Sequence, residues 1–218
     1  MNVKTFVLSP LQSNCYVVCD GADCVVVDPG DVELELVFEY IRENSLTVTA
    51  IWCTHAHFDH VLGVDLARQA FSVPALVHES DLPEWDDVPS RAKSWLSRDY
   101  PVLAPPDGTF KDNDTLFVGK RRFTVMHTPG HSPGSACFVG DTVAFTGDTL
   151  FAGTIGRTDL ERSDPIAMQK SLQRLLALDD SLTLYPGHMQ RTTMGDERAG
   201  NPFLKRANNQ LRFSGSQP

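Results

Sequence analysis

The sequence has no uninterrupted apolar run approaching the ~20 residues that a membrane-spanning helix needs. Its opening residues, Met1-Asn2-Val3-Lys4-Thr5-Phe6-Val7, contain no apolar core followed by a small-residue cleavage site, which predicts a cytoplasmic protein with no membrane partner. Positive charge is scarce: 19 Lys and Arg against 28 Asp and Glu leave a net charge of −9. That balance argues against nucleic acid or an anionic membrane as the main partner. Cysteines are few and odd in number (Cys15, Cys19, Cys24, Cys53, Cys137), without Cys-x-x-Cys spacing. Four lie in apolar, strand-like surroundings, so buried reduced thiols are expected. Internal repeats, low-complexity tracts and long linkers are also missing. The 218 residues, 41% of them apolar, suffice for a single packed domain spanning 1–218.

What is present first is strand-like. Val3 to Leu8, Cys15 to Cys19 and Cys24 to Asp28 are short β-branched and apolar runs separated by turn residues, and they read as an antiparallel meander. The last of them ends in Asp28-Pro29-Gly30, so Asp28 is either a turn residue or an acceptor that orients a ligand histidine. Helical spacing over Glu33 to Arg42, a strand over Val48 to Cys53, a helix over 60–71 and a strand over Val73 to Val77 then alternate. His78 reads as a surface or capping histidine. From Glu79 to Phe110 five prolines predict an irregular covering segment with one short helix, Arg91 to Arg98, whose Trp85, Trp95 and Tyr100 either anchor it or line an entrance. A second series of strands follows over Thr115–Val118, Arg122–His127, Ser135–Val139 and Thr142–Thr146, implying a second sheet. Ser163-Asp164-Pro165 opens a helix, Leu182 to Tyr185 forms a last strand, and Asn201 to Leu211 a terminal helix.

The chemistry concentrates in residues 54–63, Thr-His-Ala-His-Phe-Asp-His-Val-Leu-Gly, directly after the apolar strand Ala50 to Cys53. In extended chain alternate side chains share a face, so His55 and His57 converge on one cation. Asp59 and His60 fall where a helix begins, and their side chains diverge from the first pair, which suggests one ion for each pair. Imidazole and carboxylate suit zinc, iron or manganese. Three further ligand residues stand in glycine-rich turns after apolar strands: His131 in Thr128-Pro-Gly-His131, Asp148 in Thr146-Gly-Asp148 and His188 in Pro186-Gly-His188. Five of the seven histidines thus belong to four separated loops of similar design, an arrangement that chance does not explain.

These motifs, His-x-His-x-Asp-His with the Gly-His, Gly-Asp-Thr-Leu-Phe and Pro-Gly-His elements, resemble the metallo-β-lactamase-fold hydrolases, in particular the glyoxalase II-like (hydroxyacylglutathione hydrolase) branch. The resemblance implies an α+β, four-layer αββα sandwich of two mixed β-sheets with helices on the outer faces. It implies two divalent metal ions, zinc foremost with iron or manganese as alternatives: His55, His57 and His131 hold the first, Asp59, His60 and His188 the second, and Asp148 bridges them. His127 has no ligand role in the family and reads as a structural hydrogen-bonding residue. Asp59 and Asp148 are the expected catalytic residues, and Asp28 stands behind the ligands. The implied activity is hydrolysis of an acylated thiol such as S-lactoylglutathione by a metal-bridging hydroxide, with an acyl-thiol small molecule as the partner. Arg157, Phe58 and Phe151 are the expected substrate contacts, although Arg157 equally suits an ion pair with Asp159. About thirty residues follow His188, too few for the helical glutathione-binding domain of the longer family members.

Two other readings compete. A related branch, the persulfide dioxygenases, holds one iron with the positions matching His55, His131 and Asp148. Lactones, amides and other esters also fit a two-metal hydrolase, because a fold does not choose its substrate. A non-enzymatic metal-binding module is disfavoured, since such modules lose ligands and all seven are present.

Overall fold

The computed structural model describes residues 1–214. The first sheet opens as expected with an antiparallel meander of β1 (Asn2–Leu8), β2 (Ser13–Asp20) and β3 (Asp23–Val27). Helix α1 (Glu35–Glu43) crosses over to β4 (Thr47–Trp52), which lies parallel to β3. Helices α2 (Phe58–Val61) and α3 (Val64–Phe71) lead to the parallel β5 (Ala75–His78). A 3₁₀ turn (Glu79–Asp81) and α4 (Leu82–Leu96) lead to β6 (Gly108–Phe110), again parallel. In the second sheet β7 (Thr115–Val118), β8 (Arg121–His127), β9 (Ala136–Val139) and β10 (Val143–Gly147) pair antiparallel in sequence. Helix α5 (Pro165–Leu175) crosses to β11 (Thr183–Pro186), parallel to β10, and β12 (Thr192–Thr193) forms the edge before α6 (Met194–Gly200) and α7 (Pro202–Ser214).

Side-chain alternation along β2 shows why four layers stack. Cys15, Val17 and Cys19 point outward and pack with Val37 and Ile41 of α1, Ala67 of α3, and Val88 and Ala92 of α4. Tyr16 and Val18 point inward, where with Val25, Val27 and Trp52 they meet Phe123, Phe138 and Phe145 of the other sheet. Beyond that sheet Cys137, Ala144 and Leu184 pack on Met168, Leu172 and Leu175 of α5 and on Leu204 of α7. Strands covered on both faces need apolar residues at every position, which explains the continuous runs in the sequence. The result is an αββα sandwich of two mixed sheets. All five cysteines are buried and unpaired. Among the described residues no helix is long and apolar enough to cross a membrane.

Several local expectations change. The helix expected over 60–71 is broken at Gly63, whose N–H bonds to Pro29 O. A Cβ at Gly63 would lie 2.1 Å from Asp31 O, so the helix breaks where the turn after β3 presses against it. Residues 79–110 are more regular than five prolines suggest, because α4 starts nine residues before the expected Arg91. Pro83 sits in its first turn, where its missing N–H costs nothing, and Pro89 is accommodated within it. The short β12 and α6 were not expected. His78 is buried, correcting the surface reading, and it does cap the 3₁₀ turn by accepting from Ser80 N at 3.2 Å. Its ring stacks on His127 at 3.9 Å.

Candidate metal centre

Strand direction brings the ligand loops together. β3, β4 and β5 are parallel, β10 and β11 are parallel, and β8 runs the same way as β10 because β9 is antiparallel to both. Their carboxyl ends deliver Asp28, the 54–60 loop, Asp81, the 128–134 loop, Asp148 and His188 to one edge of the sandwich, the usual location for ligands in parallel sheets. All seven expected ligands arrive there. Three groups gather their donor atoms within 4.8 Å: His55, His57 and His131; Asp59, His60 and His188; and Asp28 with His55 and His60, in which Asp28 is the acceptor behind His60. Asp148 joins the first two, its Oδ2 3.3 Å from His131 Nε2 and its Oδ1 3.4 Å from His60 Nε2.

The outer contacts of each imidazole fix which nitrogen faces inward. Asp28 Oδ1 accepts from Thr54 N at 2.7 Å, and Oδ2 accepts from Thr54 Oγ1 at 2.7 Å. With its proton so committed, Thr54 Oγ1 can only accept from His55 Nδ1 at 3.0 Å, which leaves the His55 Nε2 lone pair pointing inward. His60 Nδ1 donates to Asp28 Oδ2 at 3.0 Å, and His131 Nδ1 to Arg157 O at 2.9 Å. The His57 Nε2 edge faces Glu84 Oε2 at 4.0 Å. His57 Nδ1 and His131 Nε2 face each other 2.8 Å apart, and the outer nitrogen of His57, Nε2, is buried without a hydrogen-bond partner. His55 Nε2 and Asp148 Oδ1 are buried without any hydrogen-bond partner, as expected of atoms meant for a metal.

Electrostatics agree. Burial, then the neighbouring imidazoles, hold His55 and His57 well below the usual histidine range, so both are neutral as ligation requires. Burial also works against charge on His60, yet Asp148, Asp59 and Asp28 outweigh it and push this residue up to about 10. Burial would raise the Asp59 carboxyl, but His60 and His188 hold it below the usual carboxylate range. The second set is therefore a buried site whose three surrounding carboxylates call for positive charge. The residues fit two divalent cations.

Sequence reasoning missed what secures this edge. Asp81, fully buried, accepts from Ala56 N at 2.9 Å, from Ser132 Oγ at 2.8 Å and from Gly134 N, thereby tying the first metal loop to the 128–134 loop. Asn14 does the same for the His188 loop, donating from Nδ2 to Pro186 O at 2.9 Å and to Met189 O at 2.8 Å. A signal for Asp81 was available, because it follows an apolar strand just as Asp28 and Asp148 do. Asp28 proves to be both things it was read as, a turn residue with φ of 52° and the acceptor behind His60. His127 Nε2 bonds to Pro133 O at 2.8 Å, a structural role.

A pocket of about 210 Å³ opens over the centre, bordered by His57, Asp59, Asp148 and His188 and walled by Phe58, Trp95, Arg91 and Arg157. Phe58 thus stands where a substrate contact was expected. Phe151 does not line the pocket; it packs edge-on against His188 at 5.8 Å between centroids. Arg157 lines the pocket while bonding Asp159 through Nε at 2.9 Å and Nη2 at 3.1 Å. The two tryptophans of 79–110 divide their roles. Trp85 is an anchor, buried with its indole N–H on Ala104 O, whereas Trp95 stands at the entrance.

Comparison with known proteins places this arrangement. The hydroxyacylglutathione hydrolase GloC of Haemophilus influenzae is 32% identical over 94% of this chain and 98% of its own length. The crystal structure of TTHA1623 in a di-iron-bound form is 38% identical with a TM-score of 0.85, covering 92% of this chain and 100% of that one. The BLEG-1 B3 metallo-beta-lactamase structure is 35% identical with a TM-score of 0.86, covering 93% and 99%. Residues 8–188 match the family model of the metallo-beta-lactamase superfamily, and the chain belongs to that superfamily.

Proposed function

We propose that the protein is a two-metal hydrolase of the glyoxalase II-like branch that cleaves acylated thiols such as S-lactoylglutathione. The observation that carries this reading is the pair of complete ligand sets whose free lone pairs converge beneath an open pocket, with Asp148 between them. His55, His57 and His131 would hold one cation, Asp59, His60 and His188 the other, and Asp148 both. Zinc suits these donors, and iron is supported by the di-iron form of TTHA1623. When bound, such a pair supplies Lewis acidity and a hydroxide at neutral pH.

The chain's own residues do the rest. Asp28, Thr54 and Arg157 O hold the imidazole tautomers. Asp59 borders the pocket and, as a carboxylate, would accept a hydrogen bond from the attacking water and so orient it. Phe58 and Trp95 make one wall of the pocket apolar. Similarity to GloC supports a thioester substrate, and similarity to BLEG-1 makes an amide the nearest alternative.

A second reading rests on the set His55, His131 and Asp148, with His131 and Asp148 in contact at 3.3 Å; two histidines and one carboxylate suit a mononuclear-iron persulfide dioxygenase. One experiment separates the readings. The metal-loaded protein is given S-lactoylglutathione, a β-lactam and glutathione persulfide in turn, with thiol release, ring opening and oxygen uptake recorded. Thiol release alone is expected; oxygen uptake with no thioester cleavage would replace the proposal with the dioxygenase.

A further inference from the structure

The pocket walls say more about the substrate than the metal ligands do. Phe58 caps the edge of the centre, wedged in sequence between the ligands His57 and Asp59, and its ring lies 6.3 Å from that of Trp95. Leu11 and Leu160 complete an apolar lining. Trp95 is 55% exposed while Trp52 and Trp85 are 1% and 2% exposed, so one large aromatic face stands uncovered at the pocket mouth. Glu84 and Trp95 are eleven residues apart on α4, three full turns, which puts both on the same face. Because Glu84 faces His57, Trp95 lies along the line leading outward from the first ligand set.

Cationic side chains at this rim are already neutralised. Arg157 is held in two hydrogen bonds by Asp159. Arg91 lies 3.4 Å from Glu84 and 3.3 Å from Glu161. Arg162 lies 3.5 Å from Glu84 and 2.7 Å from Asp87. Three guanidinium groups thus face four carboxylates, so the rim offers little net positive charge to attract a substrate carboxylate.

We infer that the Phe58–Trp95 shelf is an acyl-group subsite and that the preferred substrates are thioesters of uncharged, apolar or aromatic acids. The inference rests on the thioester reading above. Phe58, Trp95, Leu11 and Leu160 make up the apolar part of the pocket lining and take the acyl arm, while the thiol side is left to the polar part bordered by Asp59 and His188. Arg157 is then a structural partner of Asp159, not a carboxylate anchor.

The test uses the metal-loaded protein with acetyl, butyryl and benzoyl thioesters of N-acetylcysteamine, an uncharged thiol, and a benzoyl thioester of glutathione. Wild-type kcat/KM should rise from acetyl to benzoyl. Trp95→Ala should lower it about tenfold for benzoyl and less than about twofold for acetyl, the range that apolar pocket contacts supply, and Trp95→Phe should restore most of the loss. A loss that follows the thiol instead of the acyl group would overturn the assignment, as would a larger KM effect of Arg157→Ala on carboxylated than on uncharged substrates. A second readout needs no turnover. S-benzyl-N-acetylcysteamine, a thioether that cannot be hydrolysed, should shift tryptophan emission in the wild type and not in Trp95→Ala, because the other two indoles are buried. No shift overturns the subsite. A shift without cleavage of any thioester upholds the apolar subsite and overturns the hydrolase reading alone.

Discussion

Replacing Asp81 by alanine should damage the first metal set although Asp81 touches no metal ligand side chain. Its carboxylate receives Ala56 N, Ser132 Oγ and Gly134 N. Ala56 lies between the ligands His55 and His57, and Ser132 follows His131. A hydrogen bond to a charged group contributes about 1.5–3 kcal/mol, so three such bonds approach 5–9 kcal/mol before offsets. Burial pushes the Asp81 carboxyl up, a desolvation cost that its removal recovers. The net loss should therefore be about 3–5 kcal/mol, as for other broken buried charge networks. For a chain of this size that is a fall in Tm of roughly 6–20 °C. Loosening the two loops should also weaken binding at the first site by about 10–100-fold, the usual effect of losing an outer support. Calorimetry gives the first quantity, and chelator competition on the refolded variant at low temperature gives the second. If Tm falls while both metal sites keep wild-type affinity, Asp81 serves only to anchor α4, and the reasoning fails.

Asp28→Ala removes the acceptor shared by Thr54 and His60; it should cut binding at the second site about 10–100-fold, measured as metal per chain, and unchanged stoichiometry under dilute chelator would contradict it. Gly187→Ala would put a Cβ 2.1 Å from Asp148 Oδ1 and 2.8 Å from His60 Cε1. It should therefore abolish hydrolysis while the remaining core keeps the protein folded by circular dichroism. His78 is held down at about 4, first by burial and then by His127. A lowered histidine favours the folded state most when neutral, so its contribution is present above pH 6.5 and is lost as pH falls toward 4. Denaturant unfolding between pH 7 and pH 4 should show a loss of up to about 3 kcal/mol from this group. His78→Asn, which keeps a cap acceptor, should flatten that decline, and an unchanged slope would assign it to carboxylates elsewhere.

The ligands were legible because ligand chemistry is local: four are packed into residues 55–60 just after an apolar strand, and His131, Asp148 and His188 each directly follow a glycine in a turn after a strand. The layers were legible too, since Cys15–Cys19 in β2 and Cys24–Val27 in β3 are unbroken apolar runs and so must be covered on both faces. What escaped was set by neighbours far apart in sequence. Gly63 breaks a helix because Asp31 O presses on it, and nothing within residues 60–71 announces that contact. The prolines of 79–110 suggested irregularity, yet Pro83 occupies the one turn of α4 that tolerates it. Asp81 looked like one acidic residue among many until strand order brought β5 beside β4. The role of Arg157 was open because its partner Asp159 and its place in the pocket are both real.

Two cations acting together and one cation acting alone give different metal titrations. Metal-depleted protein is loaded stepwise with zinc while bound metal and hydrolysis of S-lactoylglutathione are followed in the same samples. Hydrolysis should stay low through the first equivalent per chain and rise as the second binds, and His188→Ala should bind one equivalent and remain inactive. Full activity at a single equivalent, or a His188→Ala protein as active as the wild type, would contradict the account.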